Sequence, residues 1–432
     1  MAKKKTEENM ETTTTETVVE SKPKPSVSPF MAKMLETSAK HFGDKNIHVG
    51  TKQRIVGLEL YSLALQWLID LQVLPFQSIV AVAGEPKSYK TSSLIEFARM
   101  FLRPMEADIP DSKWEPGVAS IVHTEGKWSP SKVTSMLGEL SDQLLVVPAN
   151  SVEDWQAKTT AQLKFMKDAI VKKREAIAKK AKNSEYAVMR IPPMFIGVDS
   201  LNGAQSDNIQ ETVKSEGHGS KTYQDRAMIN WQWVGTWGAN LIGMPVTVVI
   251  SNHLKDAINT NGGPPQKVTG GGSGFGFGCA LEIRVKNIGE IKKTYYEGAK
   301  LQWRCHFNSY GRDKRKIEIE YIEKYDENDR QIAMYDWDAA IVTLLVELCE
   351  EPMYRDRINA VLGSITEVKK GGFGSVYTCE KLNIDKDRAM DEEISASVLG
   401  KMLQQPGSDI RKELQKALRI QMCEVWTPET EL

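Results

Sequence analysis

The sequence predicts an α/β protein whose core is a mostly parallel, twisted sheet flanked by helices. Short apolar runs of strand length recur along the middle of the chain, and helical patterns separate most of them. Strands that alternate with helices favour a parallel sheet, because each helical crossover returns the chain to the same edge. The candidate strands are Ile79–Ala83, Val118–His123, Leu144–Pro148, Met194–Val198, Val246–Ser251 and Leu281–Val285.

The chain of 432 residues is long enough for more than one domain, and its composition changes along its length. Residues 1–28 are rich in Lys, Thr, Glu and Pro, which predicts a disordered tail. Residues 29–76 predict an N-terminal helical segment, with helices over Pro29–Asp44 and Leu58–Leu71. The α/β core is expected over residues 77–338.

Residues 339–432 predict a small α+β C-terminal domain, in which a helical pattern leads to a hairpin and then to further helices. The hairpin spans Ile365–Lys369 and Ser375–Cys379. The glycines between these strands resemble a protein-kinase loop, but no V-A-I-K, H-R-D or D-F-G motif follows, so a turn explains them better. Within the core, a Lys-rich helix over Ser151–Lys182 presents either a solvated face or a DNA contact.

Composition and charge narrow the class of protein. The net charge is −1, so any nucleic-acid site must be local. The five cysteines form no C-x-x-C pair, which argues against a zinc site or a disulfide framework and favours a reducing compartment. No secretory segment and no apolar run near the length of about 20 residues that spans a bilayer is visible. We expect a soluble, cytoplasmic protein with no membrane partner.

The most specific motif follows the first candidate strand. It fits the phosphate-binding P-loop pattern G-x-x-x-x-G-K-[ST], except that Tyr89 stands where the second glycine should be. A helical pattern begins directly afterwards. The residues of this predicted nucleotide-binding loop are Gly84, Glu85, Pro86, Lys87, Ser88, Tyr89, Lys90, Thr91 and Ser92.

The chemistry of such a loop follows from its position before a helix. Backbone N–H groups at a helix N-terminus attract phosphate, Lys90 would reach the β- and γ-phosphates, and Thr91 would hold magnesium. The alternative is an ordinary strand–turn–helix with an exposed lysine. Tyr89 favours that alternative, because a residue with a side chain adopts glycine-only backbone angles at a cost.

Polar residues at three other strand ends are candidates for ATP chemistry. Asp199 and Ser200 end an apolar strand, where an aspartate helps to hold nucleotide-bound magnesium. Glu125 is a candidate to polarise the attacking water, and His253 is a candidate to sense the γ-phosphate. Without the P-loop, each of them would be interpreted as a strand-terminating or solvated side chain. Parallel strands bring their carboxyl ends to one edge, so we expect these tips to meet the P-loop.

Two glycine-rich segments, Leu254–Gly278 and Asn202–Asp225, show no hydrophobic period. Long irregular stretches inside a compact domain are usually functional or disordered, so the alternative is a flexible surface loop. Lysines and backbone amides in such loops suit phosphates of single-stranded DNA. The candidate DNA-binding residues are Lys214, Lys221, Lys255, Lys267, Gly270, Gly271 and Gly272.

The order of these motifs resembles that of the RecA family of recombinases, and most of all phage UvsX-type recombinases. That subfamily also carries a G-x-x-K-S-[aromatic]-K-[ST] loop, an Asn-His strand tip and a Gly-Gly-Gly stretch, so an aromatic residue at Tyr89 is typical there. The resemblance covers roughly Gly57 to Asp338. It implies a RecA-like P-loop ATPase core.

The resemblance also implies a function. The chain would be an ATP-dependent recombinase that forms helical filaments on single-stranded DNA and exchanges strands with homologous double-stranded DNA. Single-strand-binding and loader proteins would be further partners. ATP and Mg²⁺ would be the cofactors, with Glu125, Lys90 and His253 as catalytic residues and Thr91 and Asp199 at the metal.

One departure concerns the residues that would reach the ATP of a neighbouring subunit. RecA-type proteins carry basic residues in the segment that corresponds to Asn308–Arg312, whereas this chain has Asn308 and Tyr310 at the expected lysine positions. Arg312 and Lys314 are the alternatives for this contact. The resemblance places the two DNA loops at Asn202–Asp225 and Leu254–Gly272.

Two other functions compete with the recombinase. A RecA-fold helicase, translocase or packaging motor would use the same ATP site to move along nucleic acid. A non-hydrolysing DNA-binding scaffold with a degenerate P-loop would account for Tyr89 and for the absent lysines. The presence of Lys90, Thr91, Asp199 and Glu125 argues against a degenerate site.

Overall fold

The structure is a computed structural model. It describes residues 54–104, 116–126, 128–179, 190–201, 203, 205–207, 222–257, 266–270, 276, 278–293, 295–369 and 375–427. The tail predicted over residues 1–28 and the helix predicted over Pro29–Asp44 lie outside the described residues.

The elements alternate along the chain as the apolar runs predict. The strands are β1 (Val56–Glu59), β2 (Val73–Pro75), β3 (Ser78–Gly84), β4 (Val118–His123), β5 (Leu144–Pro148), β6 (Met194–Asp199), β7 (Val246–Ala257), β8 (Gln266–Thr269), β9 (Leu281–Lys292), β10 (Glu297–Asn308), β11 (Lys316–Tyr325), β12 (Gln331–Tyr335), β13 (Ile365–Lys369), β14 (Ser375–Cys379) and β15 (Glu424–Val425). The helices are α1 (Leu63–Ile69), α2 (Lys90–Leu102), α3 (Pro130–Leu137), α4 (Val152–Ala178), α5 (Thr222–Asn240), α6 (Trp337–Leu348), α7 (Pro352–Leu362), α8 (Lys386–Asp391), α9 (Ala396–Leu403) and α10 (Asp409–Ala417). Short 3₁₀ helices span Gly138–Gln143 and Glu380–Leu382.

The central sheet has ten strands, and its parallel part contains all six predicted strands. The spatial order is β12-β11-β10-β9-β3-β7-β6-β4-β5, with β8 paired to the outer part of β7. Every pairing from β9 to β5 is parallel. The protein is therefore a mixed α/β structure with a mostly parallel central sheet flanked by helices.

Strands β10, β11 and β12 extend the sheet in antiparallel pairing, which the sequence analysis did not predict. The alternation of apolar and polar residues nevertheless indicates a strand. Lys316–Tyr325 alternates apolar and polar residues, and the apolar side chains Ile317, Ile319 and Tyr321 are buried. Such alternation is typical of a strand with one buried face.

Both faces of the parallel strands are covered. Val80 and Val82 of β3 point into a core with α2, α3 and the antiparallel strands, whereas Ile79 and Ala81 point into a second core with α4 and α5. Burial on both faces explains why the strand is a continuous apolar run instead of an alternating one. The predicted Lys-rich helix is confirmed as α4, which Ser151 begins by accepting a hydrogen bond from the Asp154 N–H.

The segment before the core is less helical than predicted. Helix α1 covers only part of Leu58–Leu71, because Ser62 caps its start and Asp70 ends it in a left-handed conformation. The preceding residues form β1, which pairs with β2 and with β15 near the C-terminus. This pairing between residues far apart in sequence overrides the local helical pattern.

The C-terminal residues share one hydrophobic core with α1 and with the antiparallel part of the sheet. The predicted hairpin is confirmed, since β13 and β14 pair antiparallel from Ile365↔Cys379 to Lys369↔Ser375. Among the described residues, no helix is both long and apolar enough to cross a membrane.

Candidate functional site

The carboxyl ends of four parallel strands meet at one edge of the sheet. Gly84, at the end of β3, lies beside His253 of β7, and His123, at the end of β4, lies beside Asp199 of β6. In open α/β sheets this edge is where ligands bind. The structure therefore brings the predicted P-loop, Asp199, Glu125 and His253 together.

The loop from Gly84 to Lys90 leads directly into α2 and leaves the first backbone N–H groups of that helix facing the loop. Lys87 and Tyr89 both have a positive φ, at 62° and 64°. Gly84 has no room for a side chain, because a β-carbon there would lie 2.6 Å from the Val285 carbonyl oxygen and would collide with Ser88. Ser88 is buried, and its hydroxyl has no hydrogen-bond partner within the part of the chain that the structure describes. An unpaired hydroxyl among helix N–H groups suits a bound anion.

Lys90 lies at the first position of α2, and its side chain folds back across the loop. The ammonium group donates a hydrogen bond of 2.8 Å to the Glu85 carbonyl oxygen. Burial lowers the pKa of this ammonium, while the nearby carboxylates of Asp199 and Glu125 raise it. The lysine is thus a cation held between the loop and two acids, where an incoming phosphate can replace the carbonyl as its partner.

Asp199 is the point at which two hydroxyl groups converge. Thr91 donates to one of its carboxylate oxygens and Ser251 to the other, each at 2.6 Å. Carboxylate and hydroxyl oxygens are hard donors, which Mg²⁺ prefers. Thr91 and Asp199 therefore offer oxygens of the kind that a magnesium ion would need, and the predicted magnesium site stays a prediction. The contribution of Ser251 was missed, although its position just before the Asn252–His253 strand tip carried the signal.

Glu125 follows β4 and lies close enough to Lys90 and Ser200 to interact with both. Its carboxylate accepts a hydrogen bond of 2.5 Å from the Ser200 hydroxyl and lies 3.0 Å from Nε2 of His253. The hydrogen bond with His253 is the main reason that the pKa of Glu125 falls to about 2; burial opposes this shift, and Ser200 and the charge of Lys90 favour it. Glu125 is therefore ionised at neutral pH and held in one orientation.

Thr124 fixes the strand that carries Glu125. Its hydroxyl donates to the Ser200 carbonyl oxygen at 2.8 Å and accepts from the Ser200 N–H at 3.1 Å, while its own N–H donates to the Asp199 carbonyl oxygen at 2.7 Å. The tips of β4 and β6 are thereby joined, and the carboxylates of Glu125 and Asp199 keep a fixed relation. Thr124 is a second residue whose part the sequence analysis did not assign.

The glycine-rich segment Leu254–Gly278 was expected to be irregular, but part of it is regular. Leu254–Ala257 and Gln266–Thr269 pair as a hairpin that extends β7 beyond the end of β6. Lys267 on this hairpin forms ion pairs with Glu85 of the P-loop at 3.0 Å and with Asp256 at 2.8 Å. The sequence did not indicate this pairing, because the two arms are separated along the chain by eight residues and neither shows a clear strand pattern.

The predicted DNA-binding residues fall into two groups. Lys255, Lys267 and Gly270 lie on or next to the hairpin, with Lys255 and Lys267 exposed and Gly270 buried. Asn252 holds Gly270 in place by donating to its carbonyl oxygen at 2.7 Å. The remaining predicted residues, which lie outside the described part of the chain, are Lys214, Lys221, Gly271 and Gly272.

A pocket of about 480 Å³ opens beside the P-loop, between Tyr89, α3 and the β9–β10 hairpin. Lys132 of α3 places its ammonium group 5.5 Å from the ring centre of Tyr89 and 5.9 Å from that of Tyr321. Burial lowers the pKa of this lysine, against the charges of Glu323 and Asp199. The pocket combines a cation, an aromatic ring and carboxylates next to the loop from Gly84 to Lys90.

The segment that was expected to face a neighbouring subunit is anchored within its own chain. Arg312 donates to the Asp70 carboxylate at 2.7 and 3.0 Å, and Arg315 donates to the same carboxylate at 3.0 Å. Asn308 donates to the Ile69 carbonyl oxygen at 2.6 Å. Of the two alternatives that the sequence offered, Arg312 is engaged and Lys314 is exposed.

The site thus consists of a loop before a helix, a lysine, an aspartate with two hydroxyls, and an ionised glutamate next to a histidine. A comparison of the chain with protein-family models found no match, and a comparison with curated proteins found none either.

Proposed function

We propose that the protein is an ATP-dependent DNA recombinase of the RecA type, which forms filaments on single-stranded DNA and exchanges strands with homologous duplex DNA. The observation that carries the ATPase part of this proposal is the convergence of Lys90, Thr91, Asp199 and Glu125 at the carboxyl edge of the parallel sheet. Cation, hydroxyl and carboxylates in this arrangement are the parts that phosphoryl transfer requires.

The roles follow from where each group lies. The N-terminus of α2 and Lys90 would bind the β- and γ-phosphates, because both supply positive charge toward the same space. A Mg²⁺ ion held by Thr91 and Asp199 would neutralise phosphate charge when bound. Glu125, ionised and oriented by Ser200 and His253, would accept a hydrogen bond from the attacking water and align it.

The order of the strands supports a RecA-like core. From β3 the chain crosses to β4 and β5, returns through β6 and β7 to lie beside β3, and then passes to β9 on its other side. The direction of the connections therefore reverses around β3, and such a switch point is where nucleotides bind in open α/β sheets.

The pocket beside Tyr89 supports a nucleotide with a base in preference to free phosphate. It borders the P-loop and offers the Lys132 ammonium and an aromatic ring, which suit stacking and cation–π contacts with a base. The hairpin that carries Lys255 and Lys267 starts at the residue after His253, so the proposed DNA loop is continuous with the ATP site.

The decisive experiment is an ATPase assay with and without single-stranded DNA. We expect DNA to stimulate hydrolysis and the Lys90→Ala variant to lose it, because the Lys90 ammonium, at the start of α2, is the cation proposed to bind the β- and γ-phosphates. Lys416→Ala, an exposed lysine on α10, is the matched control and should hydrolyse ATP like the wild type. An unchanged rate in Lys90→Ala would refute the ATP site.

Electron microscopy of the same samples tests the recombinase part of the proposal. Open helical filaments with ATP and single-stranded DNA are expected, together with strand exchange between homologous DNA molecules. Closed rings with directional unwinding would identify a helicase or translocase instead. DNA binding without any binding of ATP would identify a non-hydrolysing scaffold.

A further inference from the structure

We propose that Tyr335 of β12 is a positioning residue for the P-loop, which it serves by holding Tyr89 in a left-handed backbone conformation. The proposal rests on the ATP site proposed above, and it assigns a part to a strand at the opposite edge of the sheet from β5. Tyr335 lies far from the P-loop in sequence, and no motif includes it.

Tyr89 needs such support because of its backbone angles. It has φ 64° and ψ 27°, and it is the residue from which α2 starts without a side-chain cap. Residues with a β-carbon rarely adopt this conformation, because the β-carbon approaches the following carbonyl oxygen. A P-loop with glycine at this position meets no such penalty.

Hydrogen bonds hold the carbonyl group of Tyr89. The Tyr335 hydroxyl donates to this carbonyl oxygen at 3.3 Å, and the Ser93 hydroxyl donates to it at 3.0 Å. The two hydroxyl oxygens lie 3.1 Å apart, and because each hydroxyl has a single proton, one of them can donate to the other only in place of the carbonyl. The Tyr89 carbonyl oxygen also accepts the helical hydrogen bond of 2.9 Å from the Ser93 N–H. The carbonyl oxygen of a strained residue is thus fixed by a hydroxyl from α2 and one from β12.

Aromatic packing holds the side chain of Tyr89 and the position of Tyr335. The rings of Tyr89 and Tyr321 lie 4.8 Å apart, and those of Tyr321 and Tyr335 lie 5.2 Å apart. Tyr335 is buried and also packs against Trp303 and Trp337, with ring centres at 5.5 and 5.9 Å. Its hydroxyl therefore approaches the loop from a rigid group of rings and not from a mobile side chain.

The consequence for the site follows from the chain order. Lys90 comes directly after Tyr89, so the angles at Tyr89 set the direction in which α2 and its first N–H groups point. Without the Tyr335 hydroxyl, Tyr89 can relax toward an ordinary conformation and the phosphate-binding groups move out of line. A glycine at position 89 would keep the conformation without help.

The test is a cycle of four proteins: wild type, Tyr335→Phe, Tyr89→Gly and the double variant. We expect Tyr335→Phe to weaken binding of a fluorescent non-hydrolysable ATP analogue about tenfold and to raise KM far more than it lowers kcat. In the Tyr89→Gly background the same change should leave affinity unaltered. Tyr325→Phe, an exposed tyrosine on β11, is the matched control and should bind like the wild type.

Two results would overturn the positioning role while leaving the ATP site intact. One is wild-type affinity in Tyr335→Phe, and the other is an equal loss with and without the glycine. Wild-type protein that binds no ATP analogue would instead refute the proposed function. Thermal unfolding of the four proteins without nucleotide then tests the contact itself, since positions 89 and 335 should show a non-additive effect and additivity would contradict it.

Discussion

Replacing Asp70 with asparagine tests how the loop between β10 and β11 is anchored. The Asp70 carboxylate accepts hydrogen bonds from Arg312 and Arg315. The backbone of Asp70 ends α1 in a left-handed conformation. Asparagine tolerates that conformation and has nearly the same size, so the change removes mainly the negative charge. Arg315 is buried against Trp67, with its guanidinium 4.7 Å from the ring centre.

The magnitude follows from this burial. The Arg315 side chain is 8% exposed, as is that of Asp70, whereas that of Arg312 is 43% exposed. Breaking a buried ion pair leaves a charge without compensation and costs about 3 kcal/mol or more. Because asparagine keeps one acceptor oxygen, we expect a loss near the lower end, about 3 kcal/mol in the free energy of unfolding.

The pH dependence of this loss has a definite sign. Burial raises the pKa of Asp70, but hydrogen bonds and positive charges from Arg312 and Arg315 outweigh it, so the pKa lies below its ordinary value of 3.8. A carboxyl with a lowered pKa in the folded state stabilises the fold fully above its unfolded pKa. The wild type should lose this advantage over Asp70→Asn as the pH falls through the folded pKa.

Urea unfolding of the wild type and of Asp70→Asn at neutral pH measures the effect. The control is Glu392→Gln, which breaks the exposed Glu392–Arg388 pair and should leave the unfolding midpoint unchanged. Adding Arg315→Met to Asp70→Asn should recover part of the loss, because the buried Arg315 charge that lost its partner is then removed as well. A loss of less than about 1 kcal/mol in Asp70→Asn, or no recovery in the double variant, would contradict the reasoning.

Three further predictions concern the ATP site. Gly84→Ala should abolish binding of an ATP analogue, because its methyl group would collide with Ser88 and with the Val285 carbonyl group. Titration with the analogue measures this. Wild-type affinity would contradict the prediction and show that the loop can move aside. Glu125→Gln should bind ATP and DNA but hydrolyse slowly, and normal turnover would show that another group aligns the water. The same variant should unfold more easily than the wild type above pH 4.5, and the difference should shrink from there toward pH 2, because the hydrogen bond with His253 lowers the pKa of Glu125 to about 2. Equal unfolding midpoints at neutral pH would count against a stabilising contact between Glu125 and His253.

Much of the parallel sheet could be predicted from the sequence, because strands buried on both faces are continuous apolar runs. Ile79–Ala83 alternates its side chains between two cores and contains no polar residue. The antiparallel strands were missed since half of their residues face solvent, and only the alternation in Lys316–Tyr325 indicates a strand. Strand β1 had no local signal, because it forms through pairing with β2 and with the remote strand β15.

The site was predictable where it depends on residues close in sequence. The P-loop places Lys90 and Thr91 relative to α2, and the rule for parallel sheets brings Asp199 and Glu125 to the same edge. What the sequence does not contain is the support of these groups by remote residues. Ser251 reaches Asp199 from a neighbouring strand, and Tyr335 reaches Tyr89 from across the antiparallel strands.

The length of β7 has a mechanical consequence. The strand is paired inside the sheet as far as His253, next to Glu125, and then continues to Ala257 as one arm of the hairpin with β8. At about 3.3 Å per residue, Ala257 lies some 13 Å beyond His253. Lys267 of the partner arm pairs with Glu85 in the loop before α2. The hairpin is therefore joined to the proposed ATP site twice, through the backbone of β7 and through this ion pair, so a shift of the loop on binding a nucleotide would reach the residues proposed to contact DNA.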